Sequence, residues 1–294
     1  MKNNFLSLSG KPIGTFLLLL VLVLISKLVF LLLVNLILNS VWDINFEVLI
    51  ADIVNQEFKY VRAQKLTGFI DQIGTFLIPA IAITKFTKDL NFEVKKLSIK
   101  DVYLVVILLL FLLASTNIIT IFSQGINLPF VPENWAEYFK SQQIIQENLQ
   151  ANFIGNSMLS MCVNLFIMAL TPAICEELFF RGSLQKIFVS WSKKKSIGII
   201  LTSLIFGALH FQIENFLAIV FASILFGYVY EIKRNLIHSI IIHFCFNSFS
   251  LITMHLIKNE IYKEELLEII INYGITPIGL TLVIILSYTY LRKK

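Results

Sequence analysis

The chain has 294 residues, of which 57% are hydrophobic and 15% charged, with a mean hydropathy of +0.79; a soluble domain carries about 25% charged residues. That balance excludes an ordinary water-soluble domain, and the scarcity of Pro (6) and Gly (12) excludes a low-complexity linker. The net charge of +5 does not imply nucleic acid, because the basic residues sit in short clusters at the ends of apolar runs.

Crossing a hydrocarbon layer about 30 Å thick takes roughly 20 apolar residues in a helix. In chain order, such runs predict eight spans, near 14–38, 67–84, 102–122, 155–180, 196–212, 215–230, 235–257 and 274–291. Only three or four residues separate the fifth from the sixth. The expected architecture is an all-α, polytopic transmembrane helical bundle, one integral membrane domain over 1–294, with the ionisable motifs described below confined to 155–250. Lys and Arg test the assignment independently: alternate flanking segments carry seventeen and six of them, with Lys27 alone inside a span. By the positive-inside rule both termini are expected in the cytoplasm.

The first run is read as an uncleaved helix and not as a signal peptide, since it is long, contains Lys27 and lacks a small-residue cleavage site. Lys27 is expected to pair with a neighbour. Residues 133–150 place Trp135, Tyr138, Phe139, Ile145 and Leu149 at helical spacing among polar residues, which predicts an amphipathic helix at the membrane surface. It serves either as an anchored connection or as a gate for substrate. The mixed, acidic stretch 40–66 suggests no function. Cys162, Cys175 and Cys245 lie in apolar runs without metal-ligand spacing.

Ionisable groups inside a span are costly, roughly 2.5–3.5 kcal/mol each on insertion scales, so they need a use or a partner. Three places have them. In Glu176-Glu177-Leu178-Phe179-Phe180-Arg181 the second carboxylate and the arginine are four apart, on one helical face, and suited to pair. Glu176 points about 100° away and is left for another partner. Pro172, four residues before Glu176, removes a backbone hydrogen bond and should make room beside the carboxylate. His210 is the only ionisable side chain of its span; a histidine so placed is either a packing residue or part of a site. His243 and Asn247 are again four apart and share a face. His238 and His255, nearer the ends of that span, are read as interfacial. Counting from the basic turns, all of these groups fall at comparable depth, so one pocket can hold them.

The inventory suits hydrolysis. A desolvated carboxylate is a competent general base toward water and can return the proton to a leaving amine. Glu176, His210 and His243 could hold Zn2+ or another divalent metal that sharpens the water. Without metal, the imidazoles could orient the water, and His243 with the Asn247 amide could stabilise an oxyanion. The chain has neither a G-x-S-x-G nucleophile elbow nor an H-E-x-x-H helix.

The order E-E-x-x-x-R, F-x-x-x-H, H-x-x-x-N resembles the CPBP family, the CAAX prenyl protease, bacteriocin-processing and Abi group of intramembrane endopeptidases. It is carried by Glu176, Glu177 and Arg181, then Phe206 and His210, then His243 and Asn247, with Gly182 following the arginine. The resemblance implies Glu176 as the water-activating residue and Glu177 paired with Arg181. It further implies that His210 holds water or metal and that His243 and Asn247 stabilise the transition state. The partners it implies are a peptide or protein substrate and the lipid bilayer, with no nucleic acid. Composition favours a bacterial inner membrane over prenyl-CAAX processing in an organelle. Two other classes compete: a non-catalytic bacteriocin immunity or scaffold protein, and a transporter or proton relay. The transporter reading expects related halves, whereas these motifs all fall in one half.

Overall fold

The computed structural model describes residues 11–87, 89–123 and 132–291; the basic residues Lys2, Lys88 and 292–294 that entered the charge count lie outside them. Ten helices run through the described residues: α1 (Pro12–Trp42), α2 (Phe46–Val54), α3 (Val61–Phe86), α4 (Ile99–Ser123), α5 (Glu133–Phe153), α6 (Met158–Ser192), α7 (Lys195–Ala208), α8 (Phe216–Lys233), α9 (Leu236–Lys258) and α10 (264–291). All-helical architecture is what a bilayer demands, since each backbone N–H and C=O must be satisfied within its own segment.

Seven of these helices, all except α2, α5 and α7, are long and apolar enough to cross a membrane, so the chain is an integral, multi-pass membrane protein. The remaining expected run, the fifth, is α7, an apolar helix of 14 residues, or about 21 Å. It packs against α8 as a hairpin whose connection is residues 209–215, and the alternation of basic segments counts both arms of that hairpin. The sequence run looked longer because Leu209, Phe211 and Ile213 in the connection are apolar.

Proline shapes the long helices without breaking them. A wide turn, in which hydrogen bonds reach one residue further than usual, precedes Pro79 (Ile73–Leu77), Pro172 (Leu165–Leu170) and Pro277 (Ile270–Ile275). The extra residue accommodates a ring that has no N–H and clashes with the carbonyl four residues back. Before Pro172 the Thr171 hydroxyl donates to the Phe166 carbonyl at 2.8 Å, which satisfies one of the displaced acceptors. A fourth wide turn, Phe180–Leu184, contains no proline and carries Arg181 and Gly182. A Cβ at Gly182 would lie 2.8 Å from the Phe92 ring, so only glycine lets the 89–98 segment cross there.

That segment is fixed to the start of α9. Leu236 N donates to Glu93 O (2.8 Å), Lys95 N to Asn235 Oδ1 (3.0 Å), and Asn235 Nδ2 to Lys95 O (2.9 Å). His238, read as interfacial, is buried here and lies 3.0 Å from Asp101; His255 is buried as well. Lys27 pairs with Asp71 at 3.5 Å, as expected of it. The amphipathic stretch is a helix, α5, whose last carbonyls accept from Lys258 (Ala151 O, 2.6 Å) and Lys65 (Phe153 O, 2.7 Å). Cations at a helix C-terminus oppose its dipole, so α5 is anchored at that end.

Two apolar clusters flank the polar centre. One joins Leu19, Ala80, Phe179, Phe180, Ile187 and Phe206 from α1, α3, α6 and α7. The other joins Val105, Leu112, Phe226, Val229 and Ile242 from α4, α8 and α9. The α6–α7 turn closes at Gly198, where a Cβ would stand 2.7 Å from the backbone nitrogen of Val189. Gly198→Ala should therefore overpack the hairpin and lower stability by about 1–3 kcal/mol, read as a lower midpoint of thermal unfolding in detergent.

Candidate active site

Helix α6 brings both glutamates inward, and α-helical spacing separates their roles. Glu177 and Arg181 are fully buried, and Arg181 Nη1 donates to Glu177 Oε1 at 2.8 Å. The guanidinium also donates through Nη2 to Ser223 O (3.0 Å) and Ser223 Oγ (2.7 Å) on α8. Its face lies over the rings of Phe206 and Phe226, at 5.1 and 5.2 Å, which adds cation–π attraction in a dry environment.

His243 joins α9 to this pair. Its Nδ1 is 3.0 Å from Glu177 Oε1, and its ring stacks on Phe226 at 5.1 Å. A carboxylate only accepts, so Nδ1 carries the proton and Nε2 is turned to the other side. There Nε2 stands 3.9 Å from Glu176 Oε2. His243 thus sits between the two carboxylates: it binds one and faces the other.

His210 lies just beyond the end of α7, in the turn and not on a membrane-crossing helix as the sequence suggested. Its Nδ1 is 2.7 Å from the Phe206 carbonyl four residues back. The carbonyl can only accept, which makes Nδ1 the donor and leaves the Nε2 lone pair available. Phe206, in the F-x-x-x-H spacing, therefore supplies a backbone acceptor and a ring 4.6 Å from the imidazole.

Glu176, His210, His243 and Asn247 line one cavity of about 320 Å³, together with Pro172 and Phe206. Glu177 and Arg181 lie behind its wall. Sequence reasoning missed three carboxamides that complete the lining: Gln72 on α3, Gln150 on α5 and Gln212 in the α7–α8 turn. Gln72 Nε2 donates to Glu176 Oε1 at 3.2 Å. Helix α5 covers this side, through Gln212 Nε2 to Gln146 Oε1 (3.3 Å) and Phe139 against Phe211. A neutral Gln without a motif around it gives no signal in a sequence.

Glu176, His210 and His243 share that cavity without forming a three-ligand cluster. Among the described residues, no three His, Cys, Asp or Glu side chains lie close enough together to hold one ion. The set Glu176, His210 and His243 therefore does not fit a three-ligand Zn2+ site in this structure.

Residues 158–249 match the profile of a family described as Rce1-like, type II CAAX prenyl endopeptidase Rce1-like. The match covers about a third of the chain and contains all three motifs, so the resemblance to the CPBP group of CAAX-type proteases holds over the segment that builds the cavity. The family so described is one of endopeptidases, and the similarity to it is confined to this segment. No curated protein and no solved structure matches the chain significantly.

The buried ion pair yields a stability prediction. Arg181→Ala leaves the Glu177 charge without its partner and should destabilise the protein by about 3–5 kcal/mol, measured by denaturant unfolding in detergent. Replacing both residues together, by Glu177→Leu with Arg181→Leu, should recover most of that loss while cleavage stays abolished.

Proposed function

We propose that the protein hydrolyses a peptide bond of a membrane-associated peptide or protein, with water activated by Glu176. The observation that carries this reading is the division of labour between the adjacent carboxylates. Glu177 is committed to Arg181 and His243, whereas Glu176 faces the cavity with Oε2 turned toward His243 Nε2.

Glu176 takes a proton from water, and the resulting hydroxide forms a C–O bond to the scissile carbonyl carbon. A water against Glu176 Oε2 lies within hydrogen-bond reach of His243 Nε2 too, given the 3.9 Å between those atoms. The His210 lone pair holds a second position on the same water or on the substrate. The tetrahedral intermediate places its negative charge beside the Asn247 amide, whose N–H groups are the donors available to stabilise it in the cavity. Its collapse breaks the C–N bond, and Glu176 returns the proton to the leaving amine. Glu177 and Arg181 take no proton. They hold His243 and set the field in which the carboxylate works.

Zinc dependence is a separate proposition, and the metal-free route is the one proposed. The chain is also read as a bacterial inner-membrane protein, with both termini in the cytoplasm and the catalytic core at 155–250 of a single integral domain.

The test uses purified wild type, Glu176→Gln and His210→Ala in liposomes with a peptide library. Wild type should cleave. Glu176→Gln should lose at least 10²-fold in kcat, since general-base catalysis contributes about 10²–10⁴, and His210→Ala about 10-fold or more. Undiminished cleavage by Glu176→Gln sinks the mechanism. Loss of activity with chelator and its return with zinc replaces the metal-free route by a metal-assisted one. If no variant or wild type cleaves, yet all protect cells from a bacteriocin, the protein is an immunity factor.

A further inference from the structure

Gln72 has no place in the three motifs and lies outside the segment that matches the family. We propose that it is a positioning residue for Glu176, orienting the carboxylate that activates water; this rests on the hydrolase reading above. The amide nitrogen donates to Glu176 Oε1 at 3.2 Å, and Gln72 shares the cavity wall with Glu176, His210 and His243. Occupying one carboxylate oxygen fixes the torsion of the whole group. The other oxygen, Oε2, is thereby directed to the side of His243 Nε2.

The rest of α3 is built to keep Gln72 in place. On its far side the neighbouring Asp71 pairs with Lys27, and Ser26 Oγ donates to Gly74 O at 2.6 Å. A Cβ at Gly74 would stand 2.6 Å from the Phe30 ring, so α1 presses directly on this turn. The wide turn Ile73–Leu77 begins immediately after Gln72 and resets the helix phase there. Helix α3 is thus pinned to α1 on one side and packed against α6 on the other, through Phe69 with Phe166 and Phe76 with Phe179 and Phe180, and Gln72 adds the hydrogen bond to Glu176.

A second observation separates positioning from simple packing. The other end of the same amide, Gln72 Oε1, is buried and has no hydrogen-bond partner among the described residues. A glutamine present for stability would satisfy both ends, because a buried unsatisfied carbonyl is unfavourable. Here one atom is left unsatisfied while the other holds Glu176, as expected where local stability is given up for a functional arrangement. Gln72→Leu keeps the shape, removes the unsatisfied oxygen and removes the donor. The two roles therefore move in opposite directions: stability is retained or raised, and catalysis falls.

The experiment compares wild type, Gln72→Leu and Gln72→Asn, the last retaining an amide on a side chain one carbon shorter. Both variants should lower kcat by about 10- to 100-fold, the scale of a misplaced catalytic group, with KM within about twofold, and Gln72→Leu should show an unchanged or higher midpoint of thermal unfolding. A kcat for Gln72→Leu within twofold of a wild type whose Glu176→Gln variant is inactive overturns the proposal and leaves the hydrolase reading intact. A readout independent of turnover is the infrared carboxylate band that disappears in Glu176→Gln. It should shift in Gln72→Leu even in a protein that cleaves nothing, and an unshifted band overturns the proposal.

Discussion

An ion pair with no exposure to solvent organises this protein. Isolated charges of this kind are among the least tolerable groups in a low-dielectric interior, and attraction repays their desolvation only when geometry is good and the remaining donors are used. Arg181 meets most of that demand by reaching three oxygens on two helices, Glu177 Oε1 on α6 and Ser223 O and Oγ on α8, and by lying against two aromatic faces, while its Nε and Glu177 Oε2 are buried without a hydrogen-bond partner among the described residues. Any sliding of α6 against α8 breaks several of these contacts at once. The pair consequently specifies a register that the surrounding apolar contacts, being non-directional, leave free.

The catalytic proposal depends on that register. Glu177 Oε1 accepts from both Arg181 and His243, so the orientation of the α9 imidazole is inherited from the α6–α8 contact. Once Nδ1 is engaged, Nε2 has one direction left, toward Glu176. The wide turn at Phe180–Leu184 belongs to the same logic. It sits where Arg181 leaves α6, and Gly182 within it admits Phe92 from the segment fixed to the start of α9. Besides their apolar packing through Ala169 and Leu251, helices α6 and α9 are therefore linked by a polar contact inside the membrane region and by the 89–98 segment at the end of the bundle.

Much of this was legible from residue spacing, because an α-helix converts an interval of four into a shared face. The Glu177–Arg181 pair, the separate direction of Glu176 and the common side of His243 and Asn247 all follow from that rule. The link between Glu177 and His243 did not: it joins residues 66 apart, and no helical period relates them. The length of α7 was misread for a related reason. Hydropathy scores residues one at a time, and the apolar Leu209, Phe211 and Ile213 count toward a span although they occupy a turn. The effect of Pro172 was foreseen only in direction. The missing N–H predicts a disturbance, whereas its form, a widened turn braced by the Thr171 hydroxyl, depends on the threonine hydroxyl rotating back along the helix.

The arrangement also bears on why two carboxylates stand side by side. A single glutamate serving both as partner of Arg181 and as base would be held by the guanidinium in the deprotonated, strongly solvated state that makes a poor proton acceptor. Dividing the work between residues 100° apart on one helix removes the conflict. The inner carboxylate neutralises the arginine and aligns an imidazole, and the outer one meets the cavity. In the proposed mechanism it is Glu176, turned toward His243, that meets water. Exchanging the two positions would leave the arginine without its i,i+4 partner, so the order of roles in Glu176-Glu177 is fixed by the position of Arg181 and not by the identity of the glutamates themselves.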